Sequence, residues 1–194
     1  FYVSDYREER NLFQNNNLSC KLPKCHIIVG NPPYVEDRSL ENKPTKRYGN
    51  IYANFLENSA DLLEKNGVMG FVLPLSFVST PRMSKIRNVL YEKCPKQLIA
   101  NYADRPGCLF SGVHQKLNIL ICSNQSSNKK IYTSGYNYWN KNERSKLLSN
   151  LTLFENKFHQ KKFIPKLSNA LEANIFNKIF TENKTNSILG VSNM

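Results

Sequence analysis

Apolar residues occur along this chain in short bursts, separated by polar stretches that carry proline or glycine. Residues 26–30 (HIIVG) are a brief apolar run ending in glycine and predict a buried strand. Residues 31–34 (NPPY) must leave that strand, because neither proline can donate to a ladder. Residues 35–50 are charged and polar, with Pro44 and Gly49, and read as a loop long enough to be functional or mobile. Over residues 51–64 (IYANFLENSADLLE), Ile51, Phe55, Leu56, Ala60, Leu62 and Leu63 recur at broadly helical spacing, and Lys65-Asn66-Gly67 reads as the helix stop. Residues 68–73 (VMGFVL) predict a second buried strand closed by Pro74, and Pro81 fits the first turn of a helix reaching about Glu92. Residues 97–102 (QLIANY) and 116–122 (KLNILIC) predict two further strands. The order strand, helix, strand, helix, strand, strand describes an α/β domain, half of a doubly wound sheet flanked by helices. Past residue 123 the texture changes. Residues 123–130 (SNQSSNKK) read as a polar linker, and the rest is basic and rich in Tyr, Asn and Lys, with helices expected near 141–150 and 169–182. The expected division is a domain over residues 1–123 and a basic, partly helical extension over 124–194.

Composition narrows the class. With 194 residues, 40% hydrophobic and 11% aromatic, the chain can bury a core and is not globally disordered. It holds no run of about 18 apolar residues, so no transmembrane helix is expected. No basic-then-apolar leader opens it, so no secretory signal is expected either. The formal net charge of +12 favours a polyanionic partner such as nucleic acid. Asn, Lys, Ile and Tyr are all frequent, however, a bias that AT-rich genomes also produce. The five cysteines (Cys20, Cys25, Cys94, Cys108, Cys122) include no CxxC pair, and the Cys20, Cys25, His26 cluster has no second ligand pair at zinc-site spacing. Reduced, mostly buried thiols in a cytoplasmic protein are expected, with no metal.

The informative motif is Asn31-Pro32-Pro33-Tyr34, directly after a buried strand. With proline near 5% of residues, a match of this type is expected by chance on the order of once in a few hundred chains of this length. On these residues the chain resembles the S-adenosylmethionine-dependent N6-adenine DNA methyltransferases, whose catalytic motif is NPPY. The similarity extends over residues 17–123: a loop and helix (Tyr48 to Leu63), a Gly-preceded strand and proline (Gly67 to Pro74), a basic helix (Arg82 to Glu92), then Phe110 and a last strand (Lys116 to Cys122). The tail, with Tyr138-Trp139-Asn140, Glu143-Arg144 and Ile164-Pro165-Lys166-Leu167, resembles the segment leading into target recognition in fused type IIG restriction–modification enzymes.

The resemblance implies a Rossmann-like methyltransferase domain in bacteria or archaea, acting on double-stranded DNA without a membrane, with Asn31, Pro32, Pro33 and Tyr34 as catalytic residues. The N6 amine of adenine is a poor nucleophile because its lone pair is delocalised into the ring. Acceptors on its two hydrogens, the Asn31 side-chain oxygen and the Pro32 carbonyl, would pull it toward tetrahedral geometry. The base must leave the duplex, and Tyr34 would stack on it. By the same resemblance Phe110 would close the pocket, Asn31 and Phe55 would face the cofactor, and Arg38 and Arg47, with Lys43 and Lys46, could contact phosphates. Arg82, Lys85, Arg87, Lys161 and Lys162 have the same potential, although a solvated polar surface explains them equally.

The family's Gly-rich turn and the acidic residue that holds the cofactor's ribose are missing; Asn17 stands at the approximate place of an acidic residue upstream of NPPY. The chain therefore reads as the C-terminal half of the methyltransferase core, inactive in isolation. Two alternatives stay open: an NPPY enzyme acting on protein glutamine or ribosomal RNA, and a DNA-binding module without catalysis.

Overall fold

The structure, a computed structural model, describes residues 23–39, 46–110, 114–125, 128–157 and 163–182. Asn17, Cys20, Lys43, Lys161 and Lys162, singled out above, lie outside the described residues.

The chain enters through β1 (Cys25–Gly30), passes NPPY and a 3-10 turn (Asp37–Ser39), and continues into α1 (Tyr52–Leu62) and β2 (Leu63–Pro74). A short α2 (Ser76–Ser79) and a 3-10 turn (Pro81–Met83) lead into α3 (Ser84–Lys93), followed by β3 (Lys96–Tyr102) and β4 (Leu117–Ser123). The remainder is β5 (Lys130–Asn137), a 3-10 segment (Lys141–Lys146), β6 (Phe154–Asn156) and α4 (Ala170–Glu182). The strands form one mixed sheet in the order β1-β2-β4-β3-β5-β6. β1 with β2 and β3 with β5 are parallel; the other neighbours are antiparallel. The expected α/β class, a mixed sheet with flanking helices, is what the chain forms.

Four features differ from the sequence expectation. β1 forms where it was expected but is not buried: it pairs with β2 alone, and Ile27 and Val29 are exposed. The helix over 51–64 stops at Leu62, and residues 63–67 already belong to β2 because Leu63 pairs with Cys25 before a register shift brings Ile27 opposite Val68. Asn66, read as part of a helix stop, sits in the left-handed region (φ 64°) within β2. The polar stretch at 123–130 does not end the sheet, since β5 beyond it pairs with β3. That strand lacks a plain apolar signature because it is held by polar groups. Ser134 Oγ accepts from Asn101 N, and Asn101 Nδ2 donates to Ser134 O, both at 2.9 Å. Near 141–150 the expected helix is a 3-10 segment with an Asn140–Glu143 capping box, followed by turns.

One face of the sheet carries the main core. Met69, Phe71 and Leu73 of β2, Leu120 of β4 and Ile99 of β3 pack with Leu56 of α1 and with Ile86 and Leu90 of α3. On the other face, Trp139 with the partly buried Leu147 and Leu151 covers Ala100 and Tyr102 at the β3 side. Among the described residues nothing covers the β1 side of that face. Val29, Gly70 and Ile121 lie in register across β1, β2 and β4, and Ile27, Val29 and Ile121 are 73%, 76% and 42% exposed. No helix among the described residues is long and apolar enough to cross a membrane.

Candidate active site

The parallel β1–α1–β2 crossover places residues 31–39 and 46–51 at the carboxyl end of the strands, the edge at which open α/β sheets bind ligands. Antiparallel β4 begins at that edge: Leu117 pairs with Pro74, and Leu75 N donates to Lys116 O at 2.9 Å. Asn118 Nδ2 satisfies the Pro74 carbonyl at 3.1 Å, so β2 closes cleanly against its proline. The topology thus gathers the NPPY loop, the α2–α3 turn and the Phe110 loop at one edge.

Gly30 ends β1 opposite Phe71, and a Cβ there would stand 3.0 Å from the Phe71 ring. Pro32 is buried and Asn31 exposed, while Pro33 and Tyr34 are half-buried. The Tyr34 hydroxyl lies 2.5 Å from Asn31 Oδ1 and 3.0 Å from the Val72 carbonyl, and its single proton serves both acceptors. Its ring meets Tyr52 edge-on, with centroids 6.4 Å apart. Burial, then the neighbouring Tyr52, pushes the Tyr34 phenol up to about 12, so it stays a donor at neutral pH. Among the described residues nothing donates to the Pro32 carbonyl.

The loop behind NPPY is closed at its base. Buried Asp37 accepts from Tyr48 N at 2.9 Å and Gly49 N at 2.7 Å, and Ile51 N donates to Val35 O at 2.9 Å. Below it Glu57 of α1, 5% exposed, accepts from Lys46 Nζ and Tyr48 Oη, both at 2.7 Å. Burial pushes the Glu57 carboxyl up, but Lys46 and Tyr48 outweigh it and hold the group below its usual range. Sequence reading missed Asp37, Tyr48, Tyr52 and Glu57. Their only signal is polar and aromatic residues on a helix and loop otherwise read as core and solvent.

Other expected residues are more dispersed. Phe55 lies outside the core cluster and is half-buried, one turn into α1. Phe110 is half-buried in a loop pinned by Arg144, which donates to Leu109 O at 2.6 Å. Arg38 and Arg47 line a cleft with Glu36, Asp37, Gly49 and Arg82. Lys46 serves Glu57 as described. Arg87 is structural: it is buried, and it donates to Phe77 O at 2.6 Å and Thr80 O at 2.9 Å, holding the end of α2. The described residues contain no Gly-rich turn backed by an acidic side chain, so they do not form a cradle for the nucleoside of S-adenosylmethionine.

A mixed sheet whose glycine-terminated strand delivers NPPY to the carboxyl edge is the second half of a Rossmann-like methyltransferase domain. The chain belongs to the Eco57I restriction-modification methylase family, which it matches over residues 3–106. It is 33% identical over 102 residues to RM.MjaORFECS2P of Methanocaldococcus jannaschii, covering 49% of this chain and 8% of that protein. To the type II restriction enzyme and methyltransferase RM.Eco57I of Escherichia coli it is 26% identical over 101 residues, covering 45% of this chain and 10% of that one. The chain thus spans about a tenth of the length of these relatives. Among solved structures, the protein of a DrdV–DNA complex superposes with a TM-score of 0.56 at 17% identity, covering 70% of this chain and 18% of that one. A nuclease-deletion mutant of the Type ISP restriction-modification enzyme LlaGI, in complex with a DNA substrate mimic, gives 0.53 at 18% identity, covering 71% and 18%. At such identities the likeness is one of fold.

Proposed function

We propose that this chain is the catalytic half of a cytoplasmic restriction–modification enzyme that methylates the N6 amine of an adenine turned out of double-stranded DNA. The observation that carries the reading is the arrangement at the end of β1: the exposed Asn31 side chain with its oxygen fixed by the Tyr34 hydroxyl, beside a Pro32 carbonyl that no described residue engages. An amide oxygen has two lone pairs, so Asn31 can keep the Tyr34 bond and accept one amine hydrogen while the Pro32 carbonyl takes the other. Both acceptors are rigid before substrate arrives, and they favour the pyramidal nitrogen of the transition state over the planar ground state. Tyr34 offers its half-buried ring to the base, Phe110 bounds the pocket, and Arg38 and Arg47 meet the flanking backbone. S-adenosylmethionine, when bound, supplies the methyl group.

The missing cradle belongs, in this reading, to another part of a longer polypeptide. The bare Ile27, Val29 and Ile121 face is where that part would pack, with Asn31 and Phe55 meeting the cofactor at the seam. The isolated chain is then inactive. The test is transfer of labelled methyl by the complete protein, offered unmethylated DNA, ribosomal RNA and release factor in parallel. Label recovered as N6-methyladenine in DNA and lost in Asn31→Ala supports the proposal. Label in RNA or protein would overturn the substrate, and no label with DNA binding retained would leave a binding module.

A further inference from the structure

The cleft beside NPPY holds about 260 Å³ and is lined by Glu36, Asp37, Arg38, Arg47, Gly49 and Arg82. Its charges are unevenly used. Asp37 is buried, its Oδ2 accepts from the Tyr48 and Gly49 amides, and its Oδ1 is buried without a partner among the described residues. Among the described residues Glu36, with a side chain 33% exposed, is the carboxylate paired with the arginines of the cleft: its two oxygens lie 2.5 Å from Arg38 Nε and 3.2 Å from Arg82 Nη1. Arg47 adds a third guanidinium, exposed to solvent. Arg82 is brought in from the turn before α3, and Gly49 makes its path: at φ +92° a Cβ would stand 2.6 Å from Arg82 Cδ. Three forks around one partly exposed carboxylate match the two free oxygens of a phosphodiester better than they match Glu36 alone. Glu36 follows Tyr34 by two residues, a span of at most about 7 Å, so the cleft borders the place proposed for the base.

We propose that this cleft binds one phosphodiester of the DNA strand that carries the target base, and that Glu36 is a resident counter-ion which the phosphate displaces. Arg82 then belongs to the binding surface, and Glu36 sets how much binding is lost when the wrong or no backbone enters. This rests on the reading of DNA as the substrate, but it is measurable without methyl transfer. The pull of Arg82 first, and of Arg38, lowers the Glu36 carboxyl, so the counter-ion is charged at neutral pH.

The experiment is the affinity of the complete protein for a duplex oligonucleotide across a salt series. Arg82→Gln should flatten the slope of log K against log salt by about 0.9, the loss of one phosphate contact, and Arg38→Gln should flatten it similarly. Arg38 has a side chain 85% exposed, so its loss does not threaten the fold. Glu36→Gln should tighten binding about threefold or more at low salt, and that gain should vanish in an Arg38→Gln, Arg82→Gln background. Glu92→Gln, an exposed carboxylate on α3 paired with Lys129, gives the generic effect of removing one negative charge. Unchanged slopes in both arginine variants, absent DNA binding, or a Glu36→Gln gain no larger than that of Glu92→Gln would overturn the proposal. The two readings separate cleanly. Flattened slopes without Asn31-dependent methylation keep the cleft and remove the methyltransferase reading; Asn31-dependent DNA methylation with unchanged slopes does the reverse.

Discussion

The Tyr34 hydroxyl bonds the side-chain oxygen of Asn31 at 2.5 Å, so two residues of one tetrapeptide hold each other. Rotation of the Asn31 amide would break that bond, and the exposed side chain has no other described anchor. Tyr34 is in turn fixed by the Val72 carbonyl and the Tyr52 ring, which ties the acceptor to the sheet. In the proposed chemistry Tyr34 both orients and stacks, and the two roles separate by substitution. Tyr34→Phe keeps the ring and removes the orienting bond. It should lower kcat for DNA methylation about 3- to 10-fold, the worth of one neutral hydrogen bond, with KM for DNA little changed. Tyr34→Ala should lose the stacking as well, a further ~1–3 kcal/mol. Equal kinetics for Tyr34→Phe and wild type would remove the orienting role.

Glu57 anchors the loop from below. Glu57→Gln keeps the size and loses the charge that Lys46 and Tyr48 bond, and should destabilise the fold by about 1–3 kcal/mol in urea melts at neutral pH. Because Glu57 is held below its usual range in the folded state, its contribution is present above the unfolded carboxylate range and is lost as pH falls through the folded value. The wild-type advantage over Glu57→Gln should therefore shrink on acidification; a constant difference would show that the charge is not what holds the loop.

The tyrosines at the site give an alkaline signature. Burial raises both Tyr34 and Tyr52 from the usual 10 to about 12. A raised folded value means that stability is intact below pH 10 and falls as pH rises toward 12, when unfolded tyrosines release protons that folded ones retain. Tyrosinate absorbance should show Tyr34 and Tyr52 titrating late, together with unfolding, and the late fraction should shrink in a Tyr34→Phe, Tyr52→Phe variant.

Arg82 and Arg87 lie five residues apart and should behave oppositely. Arg87 is buried, its guanidinium is spent on Phe77 O and Thr80 O, and burial lowers it to about 10. Arg87→Ala should cost about 2–3 kcal/mol of stability by leaving buried carbonyls unpaired, while a protein held folded by low temperature keeps the wild-type salt slope for DNA. Arg82→Gln should do the converse. Calorimetry alongside the salt series checks both.

The bare β1 face predicts stickiness of the isolated chain. Ile27 and Val29 project into solvent at 73% and 76% exposure, a contiguous apolar surface with Ile121. The purified chain should bind a hydrophobic dye and self-associate. Val29→Lys should reduce both with little change in melting temperature, since the residue supports no packing on that face. A lower melting temperature in Val29→Lys would show that the face is already covered.

How much of this was legible in the chain follows from the kind of force involved. Strands β2, β3 and β4 and the helical run of α1 announce themselves because burial is a local compositional demand: an apolar run bounded by Pro or Gly has few other fates. β1 was legible as a strand but not in its burial, since Ile27 and Val29 stay exposed and only the sheet pairing decides that. NPPY is legible for a related reason, since two prolines force the exit from a strand and leave a carbonyl without a ladder partner. β5 was not legible, because Ser134 and Asn137 are stabilised by Asn101, whose partner strand is more than thirty residues away in sequence. The same holds for Asp37, Glu57 and Arg82. An Asp that caps a loop, a Glu that anchors one and an Arg that crosses a glycine all look like surface charge until the β1–α1–β2 crossover brings their partners together. Arg87 reads in sequence as one more cation of a basic helix. Only the tertiary structure separates it from Arg82, because burial is set by the packing of α2 and α3 and charge alone carries no record of it.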